Sequence, residues 1–180
     1  MHQTIQALRP NVTREEAEVA FGPRHFHGLM ARIRMGKLRS LADVYLPFQI
    51  FRVNINNGGK RDERFFGIDA LSGTLDLYTF AAEPEELLAI HTRNVPSARI
   101  QPEILTPLLK TKVQRALFQT GFFKMRQLSL SVEPLSTVHV PYWVALYGAE
   151  DDLRMRVMDA VRRQMEGAKV RELIRQWLQE

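Results

Sequence analysis

The chain has 180 residues, 45% hydrophobic and 25% charged, enough to bury roughly 70% of the surface its unfolded form exposes. It has no cysteine, which excludes disulfides and thiol nucleophiles and leaves His, Asp and Glu as the strong metal ligands. No apolar run approaches the ~20 residues of a membrane helix, and Met1 to Gln6 lacks the basic flank and apolar centre of a signal peptide, so a cytoplasmic location is expected.

A capping box, Thr13-Arg14-Glu15-Glu16, predicts a short first helix that Gly22-Pro23 ends. From His25 to Met35, alternate positions read His, His, Leu, Ala, Ile and Met, which predicts a strand with a basic edge or face. Val44 to Ile55 is rich in aromatic and β-branched residues and predicts a strong strand; Pro47 within it calls for an edge, a bulge or a bend. Asn56 to Lys60 predicts a hairpin turn, with Arg64 to Leu71 returning, Ser72-Gly73 turning again and Thr74 to Tyr78 as a short strand. Glu83-Pro84-Glu85-Glu86 predicts a helix start. Residues 93–105 read as a linker, and Thr106-Pro107 as the start of a helix that Gly121 ends. Phe122 to Val132 alternates as a strand does, followed by strands over Thr137 to Tyr147 and Leu153 to Val161. A closing helix from about Glu166 carries Val170, Leu173, Ile174, Trp177 and Leu178 on one stripe.

Two passages recur. Val44-Tyr45-Leu46-Pro47-Phe48 is echoed by Val138-His139-Val140-Pro141-Tyr142, and Arg64 to Leu71 is echoed by Arg154 to Val161. The offsets are 94 (44 to 138) and 90 (64 to 154), reconciled by a gap in the turn-rich stretch Asn56 to Lys60. The expectation is an α+β fold of two similar modules, residues 1–94 and 95–180, each a helix packed on an antiparallel sheet, joined as one compact unit with a C-terminal amphipathic helix. The hairpin around Asp69-Ala70-Leu71-Ser72-Gly73 resembles the Asp-Ala-x-x-Gly hairpin of PepSY-type domains, small cystatin-like helix-on-sheet modules. The likeness covers residues 44–78 and, without the glycine, 138–161. It implies a binding module.

Net charge is +5, with no acid over residues 19–42 or 104–132. The first stretch holds Arg24, Arg32, Arg34, Lys37 and Arg39; the second holds Lys110, Lys112, Arg115, Lys124 and Arg126. Such stretches form a positive band for an anionic partner, or simply solvate the surface. The Pro-aromatic strands add Tyr142 and Trp143 as candidate docking residues, against a plain core role. Asp69 and Asp159 are equivalent acids, readable as a general acid–base pair or as acceptors for the turns that follow them. His25 and His27 share a strand face but have no third ligand nearby, so no metal site is assigned, and no motif implies a cofactor. Gly58-Gly59-Lys60 lacks the hydroxyl residue of a phosphate loop and reads as a hairpin tip. The leading expectation is a non-catalytic module that recognises a protein or peptide. Nucleic-acid or polyanion binding along the basic band is the alternative, and an enzyme using the paired aspartates is third. The last helix offers a homodimer surface if its stripe is wider than one partner covers.

Overall fold

A computed structural model describes residues 2–22, 36–119, 128–148 and 153–180. The strand expected at 25–35 and the start of the one from Phe122 lie outside them. The elements run β1 (Gln3–Leu8), α1 (Arg14–Phe21), β2 (Leu38–Asn57), β3 (Lys60–Asp69), β4 (Tyr78–Phe80) and β5 (Leu87–Thr92), then α2 (Pro102–Gln119), β6 (Leu128–Tyr147), β7 (Arg154–Asp159), β8 (Gln164–Met165) and α3 (Ala168–Leu178). The fold is α+β. The strands follow the order β4-β3-β2-β6-β1-β5, with β7 also pairing β6 and β8 pairing β7.

Four expectations change. The two strands expected over Phe122 to Val132 and Thr137 to Tyr147 are, from Leu128 on, one continuous strand, and the short strand after the Ser72-Gly73 turn falls at Tyr78–Phe80 rather than Thr74 to Tyr78. No helix forms at Glu83; Leu87–Thr92 is a strand instead, and Glu83 turns its carboxylate to Arg52 at 3.0 Å. Helix α2 starts at Pro102, four residues before the expected cap, and Thr106 Oγ1 donates back to the Pro102 carbonyl at 2.8 Å rather than capping the helix. Proline at a first helical position needs no N–H partner, so Pro102 fills the role expected of Pro107, which lies inside the helix. The first helix keeps its expected capping box: Thr13 Oγ1 accepts from the Glu16 amide at 3.3 Å, and Glu16 Oε2 accepts from the Thr13 amide at 2.8 Å.

The chain divides into two compact units, each drawing on segments before and after residue 94. One comprises residues 47–87 and 96–139. Here β2 and β3 pair antiparallel from Phe48↔Asp69 to Asn57↔Lys60, turning through Gly58 and Gly59 with φ of 57° and 88°. A two-residue turn with both φ positive suits the right-handed twist of the strands it joins, and glycine adopts it without a Cβ clash. Phe51, Val53, Ile55, Phe66 and Ile68 pack on Leu105, Leu109, Val113 and Leu117 of α2. The other unit comprises residues 1–46, 88–95 and 140–180. There β6 and β7 pair from Tyr142↔Asp159 to Tyr147↔Arg154. Ala145, Tyr147 and Met158 pack on Ala17 and Phe21 of α1, and α3 lies on β7 with Val170 and Ile174 buried.

Each hairpin closes in the same way. Asp69 is fully buried; its Oδ1 accepts from Ser72 N (2.7 Å), Ser72 Oγ (3.0 Å) and Gly73 N (3.0 Å), and its Oδ2 from Leu75 N (2.9 Å). Asp159, equally buried, accepts from Val161 N and Arg162 N, both at 2.8 Å. The next residue then bonds the proline of the long strand: Ala70 N to Pro47 O at 2.9 Å, and Ala160 N to Pro141 O at 3.0 Å. The alanine carbonyls receive Arg99 and Ile100 in one unit and Asn11 in the other, just before α2 and α1 respectively. Gly73 has φ +68°, and a Cβ there would meet Leu108 Cδ1 at 3.1 Å. Arg163, also four residues past its aspartate, has φ +58°.

Three predictions follow from this packing. Asp69→Ala leaves four donors without their acceptor and should lower unfolding free energy by about 3–5 kcal/mol in denaturant titrations. An unfolding free energy unchanged by Asp69→Ala would contradict those bonds. Gly73→Ala should cost about 1–2 kcal/mol, whereas Arg163→Gly should be within about 1 kcal/mol of the parent, because glycine removes the left-handed penalty as it removes the side chain's contacts. Tyr45 is held neutral by burial and by Asp43 beside it, its pKa pushed from 10.0 up to about 12. A raised phenol pKa contributes stability in full below pH 10 that is lost as pH climbs through about 12, on the order of 2–3 kcal/mol. Tyrosinate absorbance should therefore lag a free tyrosine and rise together with unfolding. A full rise at pH 10 in folded protein would rule this out.

Candidate functional site

Helix α2 is apolar on two sides. Leu105, Leu109, Val113 and Leu117 recur every four residues and are buried on the sheet. Ile104, Leu108, Thr111, Arg115 and Phe118 fall on the opposite side at the 3.6-residue period. There Ile104 is 60% exposed, Leu108 41% and Phe118 54%, three of the seven large hydrophobics exposed among the described residues. A shallow depression of about 620 Å³ lies along this side, lined by Thr111, Gln114, Arg115, Phe118 and Gln119. A helix with two apolar sides is normally covered on both.

The charge on this helix is one-signed beyond Glu103. Lys110 and Arg115 are exposed and make no ion pair among the described residues, while Lys112 is turned aside to donate to the Leu75 carbonyl. Lys37 is exposed beside Gly148, whose amide bonds its carbonyl at 3.2 Å. Of the expected basic band, Arg24, Arg32, Arg34, Lys124 and Arg126 lie outside the described residues. The docking candidates of the Pro-aromatic strands are packed: Tyr142 is 2% exposed, and half-buried Trp143 donates its indole N–H to the Val12 carbonyl at 2.9 Å. Asp69 and Asp159 are both occupied by the turns they close. No group of three His, Asp or Glu residues among the described ones is placed to hold a metal ion.

The other face of the same sheet is polar. Alternation sends Phe51, Val53 and Ile55 toward α2 and leaves Arg52, Asn54 and Asn56 outward. Arg52 meets Glu83 at 3.0 Å, Glu133 at 3.2 Å and Glu63 at 3.7 Å, and its guanidinium lies over the Phe65 ring at 5.8 Å. Burial works against its charge, but Glu133, Glu83 and Glu63 together outweigh that and raise its pKa above the ordinary value. Beyond this cluster Asn54, Asn56, Arg61, Asp62, Glu63, Ser129 and Ser131 line a groove of about 420 Å³.

No protein-family model, curated protein or solved structure matches this chain. Its site is therefore read from its own geometry. Sequence reading picked out the cations of α2 but missed the second apolar side, because Ile104 lies in the stretch read as a linker and the helix was expected to start only at Thr106. Counting Ile104, Leu108, Thr111, Arg115 and Phe118 at helical spacing would have found it. It missed the Arg52 cluster because its three partners come from three separate segments.

Removing Arg52 leaves three carboxylates facing one another. Arg52→Leu should lower Tm by about 2–4 °C at low salt, and added salt should recover much of the loss by screening the repulsion. A loss of equal size at low and high salt would show that the cluster's charges do not interact.

Proposed function

We propose that this chain is a non-catalytic binding module that takes a protein or peptide partner on the outer side of α2. The observation that carries the reading is the exposed row of Ile104, Leu108 and Phe118 on a helix already anchored by its other side. Isolated exposed apolar residues are ordinary, but a row at one helical period is a docking stripe. Arg115 stands within the row and Lys110 to one side of it, with no acid between residues 104 and 132, so the fitting partner is an acidic amphipathic segment. A second copy of this chain would bring a like-charged face to the same stripe and is disfavoured. The occupied carboxylates of Asp69 and Asp159 weigh against an enzyme that uses them. The matching Pro-to-Ala bonds and Asp-closed turns support reading the two hairpins as copies of one module. They also suit the PepSY-like resemblance of the first.

One observation favours a second reading, polyanion binding: Lys110 and Arg115 are exposed without ion-pair partners among the described residues, beside aromatic Phe118. Two designed amphipathic peptides with one shared apolar face, one acidic and one basic, together with a single-stranded oligonucleotide, separate these readings. The acidic peptide should bind, and Ile104→Glu or Phe118→Glu should weaken it by about tenfold or more with an unchanged circular dichroism spectrum. Failure of both peptides would remove the docking reading. Oligonucleotide binding that falls with salt and is lost in Lys110→Ala/Arg115→Ala, with the acidic peptide left unbound, would replace it with the second.

A further inference from the structure

The groove on the polar face is a separate site on the far side of the sheet from α2, and its chemistry specifies a ligand. Asn54 and Asn56 stand two residues apart on one face of β2, and Ser129 and Ser131 two apart on β6, its neighbour in the sheet. Residues two apart lie about 6.6–6.8 Å from one another along a strand, so amides and hydroxyls form two short parallel rows. Arg61 and Glu63 continue the lining from β3.

Charge in and around the groove is nearly self-compensated. Asp62 is held by Arg64 at 2.8 Å, and Glu63 faces Arg52 at 3.7 Å. A strongly anionic ligand therefore meets no net field of opposite sign. Beside Ile55, every lining side chain except the two carboxylates can donate a hydrogen bond, and every one except Arg61 can accept one. A ligand hydroxyl does both. The Oδ1 of Asn56 is enclosed and has no hydrogen-bond partner among the described residues. An enclosed acceptor left unpaired costs about 1–3 kcal/mol, so turning the Asn56 side chain into the groove to meet a ligand O–H breaks no bond of its Oδ1 and relieves that cost. The volume of about 420 Å³ falls in the range of about 300–1,000 Å³ typical of small-molecule sites.

We infer that this groove binds a small, uncharged, polyhydroxylated ligand of the saccharide class, with Asn56 accepting a ligand hydroxyl and Asn54, Ser129 and Ser131 completing the contacts. The binding is independent of a partner on α2.

The test is amide chemical-shift titration of the full chain with maltose and N-acetylglucosamine, and with arginine and inorganic phosphate as charged controls. Saturable shifts centred on residues 54–56 and 129–131 with a sugar alone are expected. Affinity should fall about tenfold in Asn56→Ala, and Ser131→Leu, which fills the groove, should abolish binding if Asn56→Ala does not fold. Phe118→Glu should leave sugar binding unchanged, so failure of the α2 reading and failure of this one are told apart. Absence of saturable shifts with both sugars overturns the inference, as do stronger shifts with arginine or phosphate, or sugar binding indifferent to both groove variants.

Discussion

A buried carboxylate at the end of each long hairpin fixes where the neighbouring segments must lie. Asp69 and Asp159 are both fully buried, and an ionised carboxylate out of water is costly unless donors surround it. Backbone amides of the following turn provide them, which forces the chain to fold back immediately after each strand. The alanine after the aspartate is thereby set opposite a proline carbonyl, which accepts its amide, and its own carbonyl receives the segment leading into a helix. Helix α2 is thus seated on the β2–β3 hairpin, and α1 on the β6–β7 hairpin. The outward side of α2 is a consequence of that seating.

This arrangement also explains the two prolines inside long strands. Proline cannot donate to a ladder. Pro47 sits just before the residue that begins the β3 pairing, and Pro141 just before the one that begins the β7 pairing. Each contributes only its carbonyl, so the missing N–H costs nothing there. In the turn that follows, Gly73 and Arg163 occupy the same place with positive φ, one without a Cβ and one bearing that strain. Arg163 offsets it with a bond to the Asn11 carbonyl and a contact to Glu16 at 3.5 Å, tying its turn to the start of α1.

Much of the fold was legible in the sequence where the signal was local. The Thr13 capping box, the Gly58-Gly59 turn, the hairpin strands and the closing amphipathic helix all follow from residues within a few positions of one another. The misread segments depended on distant partners. Glu83-Pro84-Glu85-Glu86 has every local mark of a helix start, yet Glu83 is claimed by Arg52 and the chain beyond it joins the sheet. Residues 3–8 carry little strand signal of their own, but Ile5 and Ala7 pack with Tyr45 and Val95. The basic band read as a single feature comes down, among the described residues, to Lys37, Arg39, Lys110, Lys112 and Arg115. The apolar row of α2 was hidden because Ile104 lay in the stretch read as a linker.

The account depends most on the two aspartates being structural acceptors whose turns are locked into the fold. Native-state amide hydrogen exchange tests this directly, because it reads the donors themselves. The amides of Ser72, Gly73, Leu75, Val161 and Arg162, with Ala70 and Ala160, should exchange as slowly as the strand interiors, while Gly58 and Gly59 at the hairpin tip exchange fast. Fast exchange at the aspartate-bonded amides, matching the hairpin tip, would show the turns open in the native state and leave the aspartates without the role assigned to them.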